Sequence, residues 1–282
     1  MCGRYVLKTQ FRVLANLYRL TTGPGVGAAP EGGIERALEP FDRPRFNVAP
    51  AQTIAVVREV KAGRALAGLK WGLVPRWAKD PGRPGMQGAP PPINARAETA
   101  DARPTFRDAM ARRRCLVPAD GFYEWKRLDA SGKAKRPYFV AMADGGNFAI
   151  AGIWERWEGP EGVLETCALL TTTPNELMAT IHDRMPCIVP AERWDAWLDP
   201  GRKDGAAAKE LLGPLPGGLL VATPVSSRVN SPKNDDPSLL EPVAVTDVEA
   251  PAPKTARSTR ARHTGDAPPG GDGGTGSLWG PA

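Results

Sequence analysis

The sequence predicts a globular fold of many strands joined by short helices, and three observations predict it. The chain has 282 residues, 41% of them hydrophobic, enough for a substantial core built as one large or two ordinary domains. Its apolar residues gather in short runs bounded by Gly, Pro, Asn or Asp, the pattern of strands. Helix-start signals, by contrast, head only brief periodic stretches.

Taken in order, Gly3 to Leu7 reads as a strand, and Thr9 as the cap of a helix with Phe11, Leu14 and Tyr18 on one face. Thr22 to Arg45 is Gly- and Pro-rich, a flexible connection with a short helix near Ile34 to Leu38. Thr53 to Arg58 and Leu66 to Leu73 are strands about a turn at Ala62-Gly63. Lys79 to Pro92 reads as a mobile loop, after which Asn94, Arg96 and Glu98 alternate with small residues and so share one face of an extended segment. Pro104 to Arg112 is a helix with Phe106 and Met110 inward, and the basic run Arg112-Arg113-Arg114 suits the negative end of its dipole.

Cys115 to Pro118 and Gly121 to Trp125 read as strand, turn, strand, and Lys133 to Lys135 as the basic tip of a hairpin leading into Pro137 to Met142. Phe148 to Trp157 and Thr166 to Thr171 are strands apolar enough to be covered on their faces by helices or a second sheet. Thr173-Pro174-Asn175-Glu176 reads as a capping box opening a helix that Pro186 stops, with His182 near its C-terminal end, where imidazolium is favoured. Short helices follow near Pro190 to Trp197 and Ala206 to Leu212, then a strand at Leu219 to Thr223 and a segment, Val225 to Asn230, that closes the core. Beyond about Val245 large apolar residues are few, which cannot repay ordering entropy, so residues 246–282 are expected to be a disordered basic tail to a domain of residues 1–245.

Composition narrows the function. No run of apolar residues is long enough for a membrane span and the first dozen residues lack a signal-peptide core, so an intracellular protein is expected. Cys2, Cys115, Cys167 and Cys187 are widely spaced, which argues against disulfide stapling or a cysteine metal site. With His182 and His263 the only histidines, a zinc site built on several histidines is excluded by count. The net charge of +6 suits an anionic partner such as nucleic acid, though a merely basic surface gives the same figure.

The distinctive chemistry lies at the start of the chain. Cys2 follows the initiator Met1, whose removal would leave an N-terminal cysteine bearing a thiol and an α-amine. An α-amine titrates at roughly 8 against roughly 10.4 for lysine, so near neutrality far more of it is free to condense with an aldehyde. The neighbouring sulfur can then close a five-membered thiazolidine. The plainer reading is a small apolar residue at the start of a strand. Glu124, one carboxylate among residues that favour burial, is a candidate acid/base, or else the partner of an arginine. His182 is a candidate of the same kind, or a structural histidine. Trp71, Arg76 and Trp77 could stack on bases and hold phosphate, or simply pack.

Together Cys2-Gly3-Arg4-Tyr5, Asn47 to Pro50, Trp71-Gly72-Leu73 with Pro75 and Trp77, Asn94 to Glu98, Gly121 to Trp125, Gly152 with Trp154, and His182 to Pro186 make a recognisable set. Over roughly residues 2 to 235 the chain resembles the SOS response-associated peptidase (SRAP) family, proteins that cross-link to abasic sites in single-stranded DNA. The resemblance implies a single α+β domain with a curved, barrel-like mixed or antiparallel β core and short peripheral helices. It implies that Cys2 forms a thiazolidine with the ring-opened abasic sugar; by ordinary imine chemistry, an imine that persists before sulfur attack can undergo β-elimination and nick the strand, a weak side path. It assigns catalytic roles to Cys2, Asn94, Glu124 and His182 and DNA contacts to Arg4, Arg96 and Arg184, with Trp71 a base-stacking candidate. The expected partner is single-stranded DNA containing an abasic site, bound by a monomer in the cytoplasm near the nucleoid, with no cofactor, metal or membrane. Two rivals remain: a cysteine peptidase or autoprocessing enzyme using Cys2 and His182, and a reversible single-stranded DNA-binding module.

Overall fold

In a computed structural model of the protein, which describes residues 2–21, 43–61, 63–80, 89–160 and 162–245, thirteen strands carry the fold. These residues fall within one compact unit, Met1–Thr246. In chain order the strands are β1 (Tyr5–Leu7), β2 (Arg45–Val48), β3 (Thr53–Val60), β4 (Gly63–Trp71), β5 (Asn94–Arg96), β6 (Arg114–Ala119) and β7 (Gly121–Arg127). They continue with β8 (Lys135–Met142), β9 (Phe148–Gly159), β10 (Gly162–Thr172), β11 (Met185–Pro186), β12 (Ile188–Val189) and β13 (Leu220–Pro224).

Five of them close a barrel. β4 pairs with β3, β3 with β6, β6 with β9 and β9 with β10, all antiparallel, and the parallel pairing of β10 with β4 completes the ring. Closure leaves no open edge on those strands. Small residues keep the barrel narrow: a Cβ on Gly152 would lie 2.8 Å from the Cys115 sulfur. β5 joins β10 in parallel where β4 leaves it, and the short β11 and β12 flank β10 and β9.

The second layer is an antiparallel sheet in the order β13, β8, β7, β1, β2. One face packs on the barrel through Tyr5 against Trp71, rings 5.7 Å apart, and Phe122 against Phe148, 6.4 Å apart. Its other face carries a smaller cluster in which Val6 and Tyr123 are covered by Val225, Val229 and Leu239. The apolar strands are therefore covered by a second sheet, and the α+β, single-domain, barrel-like expectation describes the observed architecture. No helix among the described residues is long and apolar enough to cross a membrane.

Several local expectations shift. Cys115 to Pro118 and Gly121 to Trp125 are strands about a bend at Asp120, as expected, but they lie in different sheets: β6 stays in the barrel while β7 crosses to the second sheet. Asp120 accepts the backbone N–H of Lys8 at 2.5 Å and of Thr9 at 2.8 Å and also takes the Thr9 hydroxyl, so Thr9 does not cap the helix Phe11–Leu17. The later cap is Asn175, not Thr173: its Oδ1 accepts Met178 N–H at 2.9 Å and the helix is only Glu176–Ala179. The basic run after Arg107–Arg112 is used as expected, because Arg114 donates to the Met110 and Ala111 carbonyls. The expected helix near Ile34 to Leu38, most of the loop in Lys79 to Pro92 and the tail lie outside the described residues.

Candidate active site

The start of the chain is held where the sheet meets the barrel. Tyr5 pairs with Phe122 and Val6 with Gly121, and Tyr123 N–H donates to Arg4 O at 3.0 Å, so the same register sets Gly3 opposite Glu124. β7 and β8 approach closely to allow this: a Cβ on Gly121 would lie 2.2 Å from the Phe139 ring. Asn94, brought by β5 alongside β10, donates Nδ2–H to Cys2 O at 2.8 Å. After β10 the chain turns through Glu176–Ala179 and returns as β11, which swings His182 toward the sheet, its Nε2 at 3.9 Å from Glu124 Oε2. Cys2, Asn94, Glu124 and His182, spread over most of the chain, thus meet around the first peptide.

Their electrostatics suit proton transfer. Glu124 is 1% exposed; burial pushes its carboxyl up from 4.5 to about 7, with the positive charge of the amino terminus holding it from rising further. Burial likewise pushes the fully enclosed Cys2 thiol well above its usual range, and Glu124 adds to that, so the resting sulfur is a thiol. His182 departs from the expectation that a helix end favours its imidazolium. Burial, followed by the amino-terminal charge, lowers its affinity for a proton. Arg184 N–H donates to Nδ1 at 3.0 Å, which leaves the neutral ring's own proton on Nε2, facing Glu124. Asp183 Oδ1, 2.9 Å from Nδ1, attracts the ring only once it is protonated. Asn94 Oδ1 is buried without a hydrogen-bond partner among the described residues, an acceptor beside Cys2.

The DNA-contact candidates divide. Arg96 is exposed and its guanidinium forms no hydrogen bond or ion pair among the described residues. Arg184 is engaged, its fork donating to both Glu98 oxygens at 2.9 and 2.8 Å and to Thr171 O at 2.6 Å. Arg4 donates to Asn47 Oδ1 at 3.0 Å and to the carbonyls of Val229 at 2.7 Å and Asn230 at 3.2 Å. Trp71 corrects the stacking expectation: at 1% exposure, with Nε1–H donated to Ile93 O at 2.8 Å, it has no face to offer a base, whereas Trp77 is 55% exposed.

Sequence reasoning gave no role to Asn47, which is fully buried and donates Nδ2–H toward the carbonyls of Val229, Ser231 and Asn234 at 3.2, 3.0 and 2.8 Å. A polar residue inside the apolar run Phe46 to Ala49 was the available signal. Among the described residues no group of three His, Cys, Asp or Glu side chains could hold a metal ion.

A closed mixed barrel backed by an antiparallel sheet, with a cysteine, a carboxyl, an imidazole and an amide gathered near the first strand, defines the class of protein by its fold and by the side chains that meet there. The chain belongs to the SOS response associated peptidase (SRAP) family, whose model matches residues 1–232. It is 41% identical to the abasic site processing protein YoqW of Bacillus subtilis over 242 residues, covering 86% of this chain and 99% of that one. Against the abasic site processing protein HMCES of Xenopus tropicalis it is 29% identical over 239 residues, covering 74% of this chain and 69% of that one. In fold it is similar to a crystal structure of a protein from Bacteroides thetaiotaomicron, with a TM-score of 0.71, 24% identity, and coverage of 86% of this chain and 100% of the other.

Proposed function

We propose that the protein processes abasic sites in single-stranded DNA, joining its N-terminal cysteine to the ring-opened sugar as a thiazolidine. The observation that carries this reading is the convergence of Asn94, Glu124 and His182 on the first residues of the chain. Relatives in the same family are named for abasic-site processing, which supports the substrate.

With Met1 removed, the Cys2 α-amine attacks the C1′ aldehyde carbon and the carbinolamine loses water to an imine. The S–H then adds across C=N, sulfur to carbon and proton to nitrogen, so that one water leaves overall. His182 Nε2–H polarises the sugar ring oxygen during opening, and Glu124, titrating near neutrality, takes a proton from the α-ammonium to free the attacking amine and returns it to the departing hydroxyl. Asn94 fixes the Cys2 carbonyl through Nδ2, and its Oδ1 accepts from the incoming amine or hydroxyl. An imine that lingers before sulfur adds can lose the 3′ phosphate by β-elimination, the source of weak lyase activity. Catalysis and DNA binding are assigned to residues 1–245, as a monomer.

The peptidase alternative finds less support. Its nucleophile would need a thiolate paired with imidazole, whereas the Cys2 thiol is pushed up by burial and its hydrogen bond runs to Arg4 O at 3.9 Å. The deciding experiment mixes the protein with abasic and intact single strands and resolves the products on a denaturing gel. A shifted band with the abasic strand alone, lost in Cys2→Ser, is expected. Durable trapping by Cys2→Ser, or reversible binding to both strands without any adduct, would overturn the mechanism.

A further inference from the structure

The hairpin of β7 and β8 carries an unusual charge arrangement. Its register sets Lys126 directly opposite Arg136 and Arg127 directly opposite Lys135. Like charges facing each other across an antiparallel pair are unfavourable, and Arg127 opposite Lys135, both exposed, is such a pair, whereas Arg136 is buried and has a partner of its own. Lys126, Arg127, Lys133 and Lys135 form no side-chain hydrogen bond or ion pair among the described residues. Several arginines elsewhere are matched, as in Arg45 with Asp235, Arg58 with Glu165, and Arg113 with Glu155. The one acid in the hairpin's turn, Asp129, is folded into it, accepting from Ser131 Oγ, Lys133 N–H and Ala134 N–H.

This cationic arm begins at the active site. Glu124 lies on β7, and Arg127 follows three residues later, about 10 Å along an extended strand. Lys126, two residues after Glu124, shares its face of β7, and Arg127, which projects from the other face, is still near enough for its charge to be felt at His182.

We propose that the β7–β8 hairpin is a second nucleic-acid contact, holding phosphates of the backbone that flanks the reacting nucleotide through Lys126, Arg127, Lys133 and Lys135. The proposal rests on the DNA-processing reading above and adds to it where the flanking chain runs. Anionic phosphates relieve the repulsion that the free hairpin bears, so the same charges that weaken it alone strengthen the complex.

The test uses Lys133→Glu and Lys135→Glu in the full chain, with reversible binding to an intact, lesion-free single strand of about twenty nucleotides measured as a function of salt. Each variant is expected to bind several-fold more weakly, with the slope of log affinity against log salt reduced by about 0.7 for each phosphate that is no longer neutralised. Lys135→Glu also turns a repulsive pair with Arg127 into an attractive one and is expected to unfold at an equal or higher temperature, which separates weakened phosphate binding from a damaged fold. A strand of about three nucleotides, too short to reach the tip, should bind the variants and the unaltered protein alike. A larger drop in affinity on a strand with a flanking duplex would assign the hairpin to the duplex arm, a comparable drop on single strands to the unpaired backbone, and either supports the proposal. Unchanged affinity and slope on every strand, or an equal drop on the short one, would overturn it. Failure of the unaltered protein to bind any strand would instead sink the DNA-processing reading itself.

Discussion

Glu124 is the residue at which burial and chemistry pull against each other. Its carboxyl ionises near 4.5 in an unstructured chain and near 7 in the fold, because burial penalises the charge. The folded protein therefore keeps a proton that the unfolded chain has already released. Stability contributed at this position is highest below about 4.5, falls as pH rises to about 7, and is level beyond, a loss of about 3 kcal/mol at about 1.4 kcal/mol per unit. Glu124→Gln keeps the shape without the charge. Its urea unfolding free energy should gain on that of the unaltered protein by about 3 kcal/mol between about pH 4 and about pH 8, while adduct formation slows. A difference that stays flat with pH would show that Glu124 is not the group that titrates. The sequence marked this residue because it is a lone carboxylate among apolar neighbours. It could not show that the neutral His182 ring presents Nε2 to it, since that depends on the Arg184 backbone N–H.

At the scale of elements, the start of the chain is positioned from two directions. β5 reaches Cys2 through Asn94, and the segment that includes the 3-10 turn Ser227–Asn230 reaches Arg4, with Asn47 of β2 tying the two together. Arg4 thus holds the chain's start in place in the free protein, whatever else it does with DNA. Asn47→Ala would strip donors from three inward-facing carbonyls and leave Arg4 without one acceptor, a loss of about 3 kcal/mol in denaturant unfolding. A loss under about 0.5 kcal/mol would mean that water replaces the amide at no cost. Strand positions were legible from apolar runs, and most of the expected strands are present. Their partners were not: nothing local in Cys115 to Trp125 tells that the chain changes sheets at Asp120, because that depends on Lys8 and Thr9 more than a hundred residues away offering it their N–H groups.

For the whole molecule, the barrel, the sheet and the candidate site all lie within Met1–Thr246. A chain ending at residue 246 is expected to unfold at the same denaturant midpoint as the full chain and to form the same adduct; a lower midpoint would give residues 247–282 a structural part. The sequence by itself determined the inventory: a β-rich fold, a cysteine behind the initiator methionine, a carboxylate and a histidine suited to proton transfer, and an excess of arginine. Those follow from composition, local periodicity and residue chemistry. Only the tertiary structure decided that Trp71 is core while Trp77 is exposed, that burial lowers the proton affinity of His182, that Arg184 is held by Glu98, and that like charges face each other across one hairpin. Burial, register and pairing arise between residues far apart in the chain, so they come into being when the barrel closes and the sheet is laid across it.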